Sequence, residues 1–243
     1  MTEPDTARLL AALDATWPAA RYHTLGPWCL REGAGGGQRV SAATANGAVE
    51  PSDIAAAEAG LRNLGQRPLF MLRAGDEALD AELDARGYEI VDPVTLYLAP
   101  VETLAGPLQL TRAIASWPPL AIQRELWAAG GIGPARIAVM ERAADPKTSF
   151  LGRSGDTPGG TGFVSAHDGI AMLHALEVHP TARRMGVGAA LMRAAANWAQ
   201  AAGLRWITLA VTRANVPANG LYRRIGMHEA TGYHYRRAPG DAA

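Results

Sequence analysis

The residues with the clearest chemistry lie between Ile170 and Ala202. An apolar run, IAMLHALEV, leads into HPTARRMGVGAAL and then into residues at helical spacing. A strand should therefore feed a loop that opens a helix. Arg183-Arg184-Met185-Gly186-Val187-Gly188 falls where the first backbone N–H groups of that helix lack intrahelical partners. Glycines at 186 and 188 let the backbone come close to a ligand, and a helix N-terminus favours negative charge. Those properties suit a pyrophosphate. The segment is not a Walker loop, because no Lys-Ser/Thr follows. Nor is it the dinucleotide fingerprint, because Leu191 stands at the position of the third glycine.

A second patterned segment follows about 30 residues on: Asn215-Val-Pro-Ala218-Asn-Gly-Leu221-Tyr222-Arg-Arg-Ile-Gly226-Met227. Taken with Arg183-x-x-Gly186-x-Gly188 after a strand ending at Val178, it resembles the GNAT acyltransferase superfamily. The downstream segment is similar to that superfamily's N-x-x-A-x-x-L-Y-x-x-x-G-F pattern, with Met227 in the place usually held by Phe. The resemblance covers residues 108–237, and residues 21–99 only as a degraded copy. It implies an α/β fold with a splayed mixed sheet, acetyl-CoA as cosubstrate, and direct acetyl transfer to an amine.

The resemblance also implies roles. Main-chain groups of Leu176, Glu177 and Val178 would pair with the pantetheine arm, the Val178 amide polarising the thioester carbonyl. Arg183 and Arg184, with Met185, Gly186, Val187, Gly188 and Ala189, would wrap the pyrophosphate. Tyr222 would protonate the departing thiolate, and Asn215 would orient the cofactor arm or Tyr222. An ammonium acceptor must lose a proton before it can attack. Strict alternation along Ile170–Val178 puts Met172, His174, Leu176 and Val178 on one face, and Glu177 on the other. The strand is similar to that of arylalkylamine N-acetyltransferases, which implies His174 as the base, a residue type with a pKa near neutrality. Asp168, in the preceding turn, is the weaker candidate. On this reading Glu177 is excluded as base by its parity. The remaining histidines show no ligand spacing, so no metal is expected.

The elements that must position these residues are legible in outline. A short helix over 6–16 precedes strand-like runs at 21–25 and 27–32, and Gly33–Gly37 reads as a turn. Strands are expected at 39–45, 68–73 and 88–98, with helices at 53–64 and from Asp76 to Arg86. Val101–Pro107 reads as a linker. Beyond it a strand is expected at 108–113, helices at 120–129 and 134–143, and strands at 148–152, 161–166 and 170–178. A helix over 186–202, a strand at 205–211, a helix at 217–224 and a final strand at 232–237 complete the reading.

The two halves end alike, in strand, helix, strand, helix, strand. Arg86-Gly87-Tyr88 aligns with Ile225-Gly226-Met227 at an offset of 139, and Val49-Glu50-Pro51 with Val178-His179-Pro180 at 129. A duplication is expected, with about ten residues deleted from the first copy. The deletion removes the glycine loop, and Leu83 matches Tyr222. Residues 1–106 should therefore form a degenerate domain that packs against a catalytic domain of residues 107–243.

Composition sets the outer limits. The 243 residues are 48% hydrophobic, with no net charge and one cysteine, Cys29. This excludes a disordered chain, a disulfide framework and a cysteine-rich metal site. No apolar run is long enough for a membrane span, and the N-terminus lacks a signal-peptide core, so the expected compartment is the cytoplasm. Residues 1–106 carry 15 acidic and 8 basic residues, and residues 107–243 the reverse, 8 and 15. The basic half suits a nucleotide cosubstrate; no aromatic-interleaved patch or nucleic-acid motif accompanies it. The expected partner is a small-molecule amine or peptide acceptor, the expected assembly a monomer or homodimer. A CoA-binding sensor without turnover is the alternative.

Overall fold

A computed structural model of the chain describes residues 2–109 and 111–240. From the N-terminus the chain forms α1 (Thr6–Thr16), β1 (Arg21–Leu25), β2 (Trp28–Glu32), β3 (Thr44–Ala45) and α2 (Pro51–Asn63). Next come β4 (Leu69–Arg73), α3 (Glu77–Ala85), β5 (Glu89–Pro100), α4 (Val101–Leu104), β6 (Ala113–Ser116) and α5 (Ala121–Ala129). They are followed by α6 (Pro134–Arg142), β7 (Lys147–Ser154), β8 (Thr157–His167), β9 (Ile170–Val178) and α7 (Val187–Ala201). The chain ends with β10 (Trp206–Thr212), α8 (Val216–Arg224) and β11 (His228–Arg237). It is an α/β protein, as the resemblance implied.

These elements gather into two compact units that interleave in sequence. The first comprises Met1–Trp17, Leu96–Val211 and Asn215–Ala230; the second comprises Pro18–Thr95, Thr212–Ala214 and Thr231–Ala243. Each half of the sequence therefore supplies residues to both units.

In the first unit the strand order is β5-β10-β9-β8-β7-β6. The strands β6 to β9 pair antiparallel, and β9 pairs parallel with β10. The alanine-rich α7, built from a strong helix former, lays Val187, Leu191, Ala195 and Ala199 on Phe150, Val164, Leu173 and Ile207. Two strand glycines let its first turn settle on the sheet. A Cβ at Gly152 would lie 2.9 Å from Val187 Cγ1, and one at Gly160 would lie 3.0 Å from the same atom. The other face of β8 and β9 is covered by α1 and α5. Asp5 starts α1 by accepting a hydrogen bond from the Arg8 N–H at 2.9 Å.

In the second unit β11 pairs antiparallel with β4, with Tyr233 opposite Arg73 and Arg237 opposite Leu69. A small sheet, β1-β2-β3, and helices α2 and α3 enclose a core of Trp28, Ile54, Leu61, Phe70 and Leu83. The last strands are exchanged. The strand β5, from the first half of the sequence, flanks β10 in the first unit, while β11, from the second half, flanks β4 in the second.

Three sequence expectations need revision. Residues 39–45 are not one strand: a 3-10 turn over Gln38–Val40 follows Gly37, whose φ of 99° turns the chain, and only Thr44–Ala45 are extended. Residues 101–107 do not begin as a free linker. Val101 and Leu104, both on α4, are buried in the core beneath α7. The strand expected at 108–113 begins only at Ala113, and Leu110 lies outside the described residues.

Candidate active site

The site is built around an irregularity in β9. Its parallel register with β10 runs from Ile170 opposite Trp206 to Leu173 opposite Leu209, and no further pair follows among the described residues. On its other edge β9 stays paired with β8, with Glu177 opposite Thr161 and Val178 opposite Gly160. Leu176, Glu177 and Val178 thus keep one main-chain edge without a strand partner, as the splay implied by the resemblance requires.

Within the same segment the register slips between Thr161 and Phe163, and Ala175 has a φ of +49°. This is a β-bulge: one extra residue on β9 that reverses the alternation after it. A left-handed alanine costs on the order of 1–2 kcal/mol. The buried Trp127 offsets part of that strain, its indole N–H donating to the Ala175 carbonyl at 2.7 Å.

The bulge overturns the parity reading. Leu173 faces α7, and after the slip Leu176 and Val178 pack against the same core cluster, not with His174. Glu177 falls on the α5 side. A Cβ at Gly130, the residue after α5, would lie 2.6 Å from Glu177 Cδ. The Glu177 carboxyl is held above the usual carboxylate range; burial drives the shift, and Arg183, 3.9 Å away, a hydrogen bond from the Val178 N–H, and His179 oppose it. Its side chain keeps 24% exposure, enough to exchange protons.

His174, on the same face, is enclosed instead. It is 5% exposed, its ring lies 4.9 Å from that of Trp17 and 6.3 Å from that of Phe163, and Nε2 is 2.8 Å from Thr16 Oγ1. Thr16 gives its hydroxyl proton to the Ala12 carbonyl at 2.6 Å, so the pair requires Nε2 to carry the hydrogen and donate it. The packing partner is α1, 157 residues upstream in the case of Trp17, rather than an open cleft. Asp168 is bound at the far end of the strand by Arg8 Nε at 2.7 Å.

Beyond Val178 the chain turns through Pro180–Ala182 and an exposed stretch, Arg183–Gly186, before α7 begins at Val187. Arg184 (φ +62°) and Gly186 (φ +81°) are both left-handed, and Gly186 is the N-cap with no side-chain cap bond. The N–H groups of Val187, Gly188 and Ala189 have no partner within the helix, whose first bond is Ala190 N–H to the Gly186 carbonyl at 2.9 Å. The loop is braced from outside, Arg112 Nη2 donating to the Met185 carbonyl at 3.2 Å and Arg183 Nε to that of Val178 at 3.3 Å. Gly188 has a different reason to be small. Its missing Cβ would point at Leu221 Cδ2, 3.1 Å away, so the glycine lets α8 come close.

Tyr222 stands on α8, 5% exposed, its ring 5.6 Å from that of Tyr97. Burial pushes its phenol up to about 12, so it is protonated throughout the neutral range. Asn215 begins the same helix, its Oδ1 accepting from the Ala218 N–H at 3.2 Å.

An open strand edge, a helix N-terminus with free donors, a half-buried carboxylate and a protonated phenol are thus carried by β9, α7 and α8 of one unit. Residues 116–227 match the model of the Acetyltransferase (GNAT) family. The chain carries a GNAT N-acetyltransferase domain. The Uncharacterized N-acetyltransferase YobR of Bacillus subtilis is 27% identical over 232 residues, 91% of this chain and 94% of that protein. A GCN5-related N-acetyltransferase from Kribbella flavida has the same fold at a TM-score of 0.70 and 20% identity, over 98% of this chain and 97% of that one. A tandem GNAT protein from the clavulanic acid biosynthesis pathway is similar in fold, with a TM-score of 0.57 and 13% identity over 83% of this chain and 76% of that one.

The matched GNAT segment contains all the expected site residues from His174 to Tyr222, together with two that sequence reasoning passed over, Trp127 and Gly130. A Trp-x-x-Gly spacing at a helix end gives no chemical signal until β9 is laid beside it. The loop offers a direct test of the cofactor cradle that the resemblance implies. Gly186→Val is expected to force a β-branched residue into the left-handed region and its Cβ to 3.3 Å from Arg112 Nη2. Acetyl-CoA affinity, read by calorimetry, should fall roughly tenfold, the equivalent of about 1.4 kcal/mol.

Proposed function

We propose that this GNAT chain transfers the acetyl group of acetyl-CoA to a primary amine, in a small molecule or a peptide, by direct attack in a ternary complex. The observation that carries the reading is the bulge at Ala175, which brings Glu177 beside the unpaired edge of β9. The residues present fit the cosubstrate: the donors of Val187 to Ala189 suit its pyrophosphate, and the exposed Arg183 and Arg184 its negative charge. When bound, acetyl-CoA supplies an activated acetyl group as a thioester. Main-chain groups of Leu176 to Val178 align the pantetheine arm along the open edge, and the Val178 N–H, once it leaves the Glu177 carboxylate it bonds in the free chain, polarises the thioester carbonyl.

Glu177 takes one proton from the incoming ammonium. The freed nitrogen forms its bond to the acyl carbon as the carbon–sulfur bond breaks, and the second nitrogen proton leaves with the sulfur. Tyr222 steadies the developing thiolate with a hydrogen bond. Full proton transfer from a phenol at about 12 to a thiol of about 8.5 is uphill, so donation rather than ionisation is its role. His174 holds the strand that carries Glu177.

We further infer that residues 1–106 descend from a second copy of the same domain that has lost its cofactor loop. Support comes from matched local geometry at the offset of 139. In the first unit the Tyr97 hydroxyl donates to Asn219 Oδ1 at 3.1 Å; in the second, Arg236 Nε donates to Asp80 Oδ1 at 2.7 Å, at the equivalent positions. Gly226 and Gly87 both have positive φ, each followed by a residue whose N–H bonds back, Met227 to Tyr222 and Tyr88 to Leu83. Leu83 has no proton to give.

The test is release of CoA from acetyl-CoA across a panel of primary amines and amino-terminal peptides, with acetylated product identified by mass. Amine-dependent release supports the reading. Tight CoA binding without acetylation of any amine would favour a sensor, and salt-dependent binding of nucleic acid independent of CoA would favour a different role for the basic residues. Among the described residues no helix is long and apolar enough to cross a membrane, and no group of three or more His, Cys, Asp or Glu could hold a metal ion.

A further inference from the structure

Gly130 is not glycine for the sake of its backbone. It closes α5 with φ −88° and ψ 9°, a conformation open to any residue, and the left-handed turn that ends the helix is made by Gly131, at φ +78°. Helix propensity alone would favour alanine at 130. What a side chain there would meet is Glu177: a Cβ would lie 2.6 Å from Cδ, 2.7 Å from Cγ and 2.8 Å from Oε2. One turn earlier, the indole of Trp127 holds the Ala175 carbonyl at 2.7 Å and so fixes the bulge that aims Glu177. The same short helix end thus touches both the backbone that directs the carboxylate and the carboxylate itself.

We propose that Gly130 is a positioning residue: its missing side chain leaves a recess at the C-terminal end of α5 that holds the Glu177 carboxylate, with Trp127 fixing the strand from which it projects. The recess is one-sided. On the α5 side Glu177 meets the uncharged Gly130; on its own strand and the loop beyond it meets the Val178 N–H, and the charged and titratable groups are Arg183, 3.9 Å away, and His179. β8 places the uncharged Thr161 opposite it. Anything that pushes the carboxylate out of the recess moves it toward solvent and Arg183, reducing the burial that keeps it protonated to higher pH. The proposal rests on Glu177 acting as the base, but its own readout does not depend on turnover.

The experiment is an NMR titration of the free protein labelled with 13C at glutamate carboxyls, the Glu177 signal assigned by its loss in Glu177→Gln. In Gly130→Ala the Glu177 midpoint should fall toward the ordinary carboxylate range. Thermal stability should hold or rise, because alanine suits this backbone better than glycine. Turnover should fall by roughly 10- to 100-fold, the scale of an ångström-sized misplacement, with acetyl-CoA affinity unchanged. An unchanged Glu177 midpoint in Gly130→Ala would overturn the proposal. If Glu177→Gln turns over normally while the midpoint still moves, the base assignment fails and the recess stands.

Discussion

Glu177→Gln is expected to lower kcat/KM for acetyl transfer by roughly 10²- to 10⁴-fold, the range for a lost general base. The amide keeps the size and the recess of the carboxylate but cannot accept the ammonium proton. The pH profile carries the sharper signature. Because burial holds the carboxyl above the usual carboxylate range, the base is lost as pH falls through that raised value and restored as pH climbs above it. The wild-type profile should therefore have an acid limb at higher pH than a free glutamate would give. That limb should vanish in Glu177→Gln and survive in His174→Ala, whatever the latter costs in stability by emptying the space between Trp17 and Phe163. An acceptor of low pKa, already neutral in solution, should recover much of the rate lost in Glu177→Gln. Equal slowness with both kinds of acceptor would reduce Glu177 to a positional role.

Tyr222→Phe is expected to lower turnover by about 10²-fold, the loss seen when one preorganised donor to a developing anion is removed. The ring remains, so its contacts with Tyr97 and the core beneath α7 remain, and acetyl-CoA affinity and thermal midpoint should change little. No basic limb is expected from this phenol below about pH 12, since burial keeps it protonated. A rate equal to wild type would make the tyrosine a packing residue and leave the thiolate to depart unaided.

The fold and half of the site could be read from residue types because their causes are local. Alternating and helical apolar spacing placed β9, α7, β10 and α8 to within a few residues, and the glycines and arginines from 183 to 188 marked the helix terminus. The proton acceptor we propose could not be read this way, because one residue decides where Glu177 points. Ala175 carries no mark of the left-handed conformation it adopts, and the indole that stabilises it lies 48 positions upstream. Strict alternation therefore sent Glu177 to the wrong face and joined His174 to Leu176 and Val178. His174 itself is settled by Thr16 and Trp17, whose contact with β9 depends on how α1 folds back on the sheet. Gly188 read as an opening for a ligand; that it also lets Leu221 come close is visible only once α8 is in place.

The loop from Arg183 to Ala189 is the acetyl-CoA cradle we propose, with no counterpart expected in residues 1–106. Calorimetric titration of the intact chain with acetyl-CoA measures this directly. One molecule bound per chain, with affinity weakened by Gly186→Val, is the result the account predicts. Two equivalent sites, or a single site indifferent to Gly186→Val, would contradict it.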